Sequence, residues 1–113
     1  MKISEIIKNE IYADTIKTDF IHIINQEIDI IGFTLMNGDE NDYLVIKAKH
    51  KNKIISFATG GDIIMQKLTK VCEHFKLTFP KTHDQIILPE QIKCMIVKLT
   101  SKNNRSYYDL SDY

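Results

Sequence analysis

Tryptophan is absent, and the 113 residues include only two cysteines, two prolines and four glycines. So little Gly and Pro argues against collagen-like, linker-like or disordered chains. Cys72 and Cys94 form neither a C-x-x-C pair nor a zinc spacing, so the expectation is two reduced, buried thiols in a cytoplasmic protein. No apolar run approaches the ~20 residues of a membrane span, and Met1-Lys2-Ile3-Ser4-Glu5 does not read as a secretory leader; no membrane partner is expected. Net charge is also missing, since 15 basic residues balance 15 acidic ones. What is present is the composition of a globular domain, 43% hydrophobic and 27% charged, in a chain long enough for one core without a disulfide or metal staple.

The balanced charge is unevenly distributed. Residues 1–45 carry nine acids against three lysines, a net −6, whereas residues 46–105 carry eleven lysines and Arg105 against four acids, a net +8. Such a split points to an anionic partner for one surface, with a merely solvated surface as the alternative.

Periodicity supplies the elements. Ile3, Ile6, Ile7 and Ile11 recur at helical spacing, which predicts a short helix from Ser4, as cap, to about Tyr12, and Phe20-Ile21-His22-Ile23-Ile24 reads as strand-like. A long strand is expected over 28–36, with Gly32 marking a bulge, and Asn37-Gly38 opens a hairpin turn. Strands are expected over 43–49 and 53–59, then a helix from Asp62, as cap, to about Phe75 with the stripe Ile64, Leu68, Val71, Phe75. Residues 78–89, with both prolines, read as loop, and strands are expected over 92–100 and 105–110. Three hairpin-linked strands, one helix and a closing hairpin form the order of a five-stranded OB-fold barrel (β-β-β-α-β-β), all-β with one helix; an SH3-like barrel and a small α+β sandwich are the alternatives. Residues 1–24 read as an N-terminal extension and 25–113 as the domain.

The stretch from Lys53 through Gly60-Gly61-Asp62 to Leu68, and that from Cys94 through Ser101-Lys102-Asn103-Asn104-Arg105 to Leu110, resemble the small OB-fold single-stranded DNA-binding proteins of phages and mobile elements. The resemblance covers about residues 28–110. It implies replication, recombination or strand protection of DNA without catalysis, and replication or recombination proteins as further partners. Housekeeping members of that class end in an acidic tail closing on Pro-Phe; Asp109-Leu110-Ser111-Asp112-Tyr113 departs from that pattern.

Sequence-tolerant binding of a single strand requires cations along the phosphate path and aromatic faces for the bases. On an OB barrel the second and third strands and the loops joining strands one to two and four to five form the groove. The candidate cations are therefore Lys47, Lys49, Lys51, Lys53, Lys98, Lys102 and Arg105. Tyr43 and Tyr107 are the candidate stacking platforms, and Phe57 divides evenly between groove and core. Phe33 reads as core and Tyr108 as packed. The acidic loop 37–42 counts against phosphate nearby, and lysines on strands also serve to blunt sheet edges. The four histidines show no ligand spacing, and Gly60-Gly61-Asp62 lacks the Lys-Ser/Thr of a P-loop, so no catalytic residue, metal or cofactor is expected. The competing readings are a small protein-interaction module, such as an element-encoded inhibitor or replisome adaptor, and a single-stranded RNA binder; homo-oligomerisation is open.

Overall fold

The computed structural model of the chain describes residues 12–112, so the short helix expected from Ser4 to about Tyr12 lies, but for its last residue, outside the described residues. Its strands are β1 (Ile16–Lys17), β2 (Glu27–Met36), β3 (Tyr43–His50), β4 (Lys53–Thr59), β5 (Gln85–Thr100) and β6 (Ser106–Ser111). A 3₁₀ turn (Phe20–Ile23) precedes β2, and a single α-helix among the described residues, α1 (Asp62–His74), follows β4. The fold is mostly β. All six strands join one open sheet in the order β1-β4-β3-β2-β5-β6.

The three central strands form because alternate residues are apolar. On β3, Leu44, Ile46 and Ala48 are buried, while Tyr43, Val45, Lys47 and Lys49 point to the other face. Ile55 and Phe57 of β4 and Ile28, Ile30 and Phe33 of β2 join the same core. Ile30 and Phe33 can both point inward only because the register shifts between Ile30 and Gly32. Gly32 is required there by close approach: a Cβ on it would stand 2.1 Å from the carbonyl oxygen of Ile86. Helix α1 covers the core with Ile64, Leu68 and Cys72. Gly61 holds its N-cap position without a side-chain bond, so Asp62 is not the cap but the first helical residue, where its charge favours the helix dipole.

Two further expectations are corrected. Phe20–Ile23 is a 3₁₀ turn, with Asp19 accepting from the Ile21 N–H, and it sends Ile23 into the core. Residues 85–91 are not loop but the first part of β5. Pairing with β2 jumps from Ile30↔Ile92 to Gly32↔Ile87, so residues 88–91 bulge out, and Pro89 falls where no ladder N–H is needed.

The expected closed five-stranded barrel is replaced by the six-stranded open sheet, and both edges show why. The outer edge of β4 is taken by β1 in parallel pairing, with the Thr18 N–H donating to the Ser56 carbonyl at 2.9 Å. The outer edge of β6 is capped at Leu110, whose N–H donates to Asp109 Oδ1 at 2.8 Å and whose carbonyl accepts from Lys67 Nζ at 2.7 Å. Lys67 and Asp109 also form an ion pair at 2.8 Å. β1 and β6 are the two edge strands of the sheet, and they do not pair with each other.

Candidate nucleic-acid interface

The outer face of the sheet, opposite the core, can be read row by row from the registers. Lys93 of β5, Asp29 of β2, Lys49 of β3 and Ile54 of β4 form one row. Ile87, Gly32, Lys47 and Ser56 form the next, and Gln85, Thr34, Val45 and Ala58 the one after. Met36 and Tyr43 close that end of the face. Lys47, Lys49 and Lys93 therefore share one surface, Asp29 lies between two of them, and the exposed Ile54 and Ile87 flank them. Lys51 stands exposed in the turn beyond β3 with a left-handed φ of 49°.

The structure splits the site residues expected from the sequence into groups. Tyr43, Lys47, Lys49 and Lys51 stay together along β3 and its turn. Lys53 shares the parity of the buried Ile55 and Phe57, so it belongs to the core side at the end of the hairpin. Phe57 is 2% exposed within the core and offers a ligand nothing; its groove assignment is corrected to core. Lys98 pairs with Tyr108 on the side of Ile96 and Leu110, also away from the outer face. Lys102 and Arg105 are exposed in the β5–β6 turn, and Tyr107 sits opposite Leu99 on the outer side. Tyr43 is paired at one end of β2, whereas Tyr107 lies beyond the other end, so the whole length of β2 separates the two tyrosines. They do not line one short trough. Phe33 is fully buried, and Tyr108 packs edge-on against Phe20 at 4.9 Å.

Two participants escape the sequence reading. Lys93 joins Lys49 only through the β5–β2–β3 register, although the alternation of Lys93, Met95 and Val97 against the buried Cys94 and Ile96 was available as a signal. Tyr12 is the other. Its ring packs with Met36, Tyr43 and Val45, and Lys47 Nζ stands 5.8 Å from its centroid, within cation–π range. Thr34 Oγ1 donates to the Tyr12 hydroxyl at 3.4 Å, and burial pushes that phenol above its ordinary pKa, so it is neutral at pH 7. The Tyr12 carbonyl accepts from the Thr15 N–H at 3.0 Å, Thr15 Oγ1 at 2.6 Å and Lys17 Nζ at 2.9 Å. Thr15 Oγ1 also lies 2.6 Å from Ser56 Oγ, tying the segment to β4.

Acidic groups border the face. Asp42 and Asp62 flank Tyr43 around a cleft closed by Gly60 and Gly61. At the far end of β3, His50 hydrogen-bonds the Gln26 side chain, and burial with the neighbouring Lys51 lowers its pKa, which keeps the imidazole neutral at pH 7. Among the described residues no group of His, Cys, Asp or Glu is placed to hold a metal ion, and no helix is long and apolar enough to cross a membrane. Cys72 and Cys94 are both free and buried. No protein-family model, curated protein or solved structure matches the chain.

Proposed function

We propose that this protein binds single-stranded nucleic acid, DNA first, with little sequence preference and without catalysis, and so supports replication or recombination of a phage or mobile element. The observation that carries the reading is the pair Lys47 and Lys49 on the outer side of β3, followed by Lys51 in the turn beyond it and joined by Lys93 from β5 and by the aromatic Tyr43. Ammonium groups spaced along a strand suit a phosphate chain, while an aromatic ring or an exposed aliphatic side chain such as Ile54 or Ile87 suits the flat faces of bases. The element order also supports it: β2, β3 and β4 are hairpin neighbours, α1 follows, and β5–β6 close the chain, an order shared with OB folds, which take ligands on their second and third strands. Here those strands are β3 and β4. On this reading the sheet is an OB-like arrangement left open by β1.

The experiment is a fluorescence titration with short oligo-dT at several salt concentrations. With three or four phosphates neutralised, log K falls with log salt at a slope of roughly −2 to −3. The double variant Lys47→Ala/Lys49→Ala flattens the slope by about 1.4. Binding that ignores ionic strength, or is unchanged in the double variant, ends the reading. Competition between matched oligo-dT and oligo-U separates DNA from RNA, since only the 2′-hydroxyl and the methyl group differ between them.

A further inference from the structure

We infer that the seat now filled by the Tyr12 ring is the base-receiving subsite of this face, and that the chain's own Tyr12–Thr18 segment is a displaceable occupant that competes with the nucleic acid. The inference rests on the single-strand reading above and specifies the regulation of that site. The seat comprises Thr34, Met36, Tyr43, Val45 and Lys47, all on the outer face of β2 and β3. It offers a flat apolar wall, an ammonium 5.8 Å from the ring centre and a hydroxyl directed at the ring's polar edge. Those are the three contacts a nucleobase needs: a face to stack on, a cation beside the ring, and a hydrogen-bonding partner at the rim. Tyr12 thus stands in for a base.

Three observations show that the occupant is held by replaceable contacts. The strand it forms, β1, has two residues. The polar residues it covers, Thr34 at 0% and Ser56 at 1% exposure, take partners from the segment itself, so on its departure water or a ligand can satisfy both hydroxyls. Tyr12 reaches the seat through a φ of 52°, a left-handed conformation that non-glycine residues seldom adopt. When the seat is shut in most molecules, apparent affinity falls by the fraction that is open; a seat open in about one molecule in ten costs the ligand about tenfold.

The test titrates fluorescein-labelled oligo-dT into the full chain, Tyr12→Ala and Tyr12→Phe. The expected result is about tenfold tighter binding by Tyr12→Ala, near wild-type binding by Tyr12→Phe, which keeps the ring, and loss of the gain when Lys47→Ala is added. Equal or weaker binding by Tyr12→Ala, with the wild type still binding, overturns the occupant while leaving the single-strand reading intact. Absence of binding by all variants at low salt ends that reading, and the subsite falls with it. Should Tyr12→Ala fail to fold, hydrogen exchange on the wild type decides. The Thr18 amide, bonded to the Ser56 carbonyl, loses protection on saturation with oligo-dT if the segment is displaced, and unchanged protection overturns the proposal.

Discussion

Cys94 sits on the core side of β5 at 4% exposure, and its environment sets how the thiol responds to pH. Burial is the main cause that pushes its pKa up to about 12 from 9.0; Asp29 and Asp112 add to the shift and Lys67 opposes it. In the unfolded chain the thiol ionises near 9, so from there to about pH 12 only the unfolded form gives up its proton. The stability this thiol contributes is therefore whole below about pH 9 and is lost as pH rises through 12. Urea midpoints measured across that range are expected to fall less steeply in Cys94→Ala than in the wild type, and the native protein should resist thiol reagents at pH 8 because both cysteines are buried with raised pKa values. Identical pH slopes in the two proteins would remove Cys94 from the account. The burial of Cys94 is legible in the sequence because it shares its strand parity with Ile92 and Ile96. That of Phe57 is less so. Lys53, Ile55 and Phe57 share one parity of β4, and only the tertiary core that buries Ile55 and Phe57 shows that this parity faces inward.

Helix α1 meets the sheet at β6 through Lys67, and that contact is an edge device more than a store of stability. The Lys67 side chain is 45% exposed and Asp109 19%, so solvent screens the ion pair and its net value is about 1 kcal/mol or less. Its larger effect is to satisfy the Leu110 backbone on the free edge of β6. Lys67→Met should lower the unfolding free energy by no more than about 1 kcal/mol yet raise self-association, read by light scattering as a function of concentration. A large stability loss with no association would make Lys67 a core-packing residue instead. The elements themselves were legible where one local period governs: β2, β3, β4 and α1 lie within a residue or two of their expected bounds. They were illegible where tertiary contacts override local preference. Phe20–Ile24 has strand-forming residues, but burial of Ile23 in the core goes with a 3₁₀ turn over Phe20–Ile23, and Pro89 reads as a breaker because the bulge that accommodates it exists only opposite Ile31. The candidate site follows the same rule. Lys47 and Lys49 were placed by alternation within β3, whereas Lys93 and Tyr12 reach the face through pairing and packing between distant parts of the chain.

Across the whole molecule, the sheet order distributes stability unevenly, and that unevenness decides which parts can move while the fold persists. Strand β2 is flanked by β3 and β5, carries Ile28, Ile30 and Phe33 into the core, and holds Gly32 against the β5 backbone. Strand β1 has one neighbour, two paired residues and exposed side chains on both. Local opening draws on segments with few buried contacts and exposed hydrogen bonds, so native-state hydrogen exchange should rank the strands. Amides of β2 and β3 at Ile30, Phe33 and Ile46 are expected to exchange only through global unfolding, those of β6 at intermediate cost, and Thr18 most readily. The ranking distinguishes two pictures of the N-terminal segment. If Thr18 opens at a small fraction of the global free energy, Tyr12 can leave its seat while the sheet below stays whole, which an occupant displaced by a ligand requires. If Thr18 exchanges only with Phe33, the segment belongs to the same cooperative unit as the core, and the outer face of β3 is covered for as long as the protein is folded.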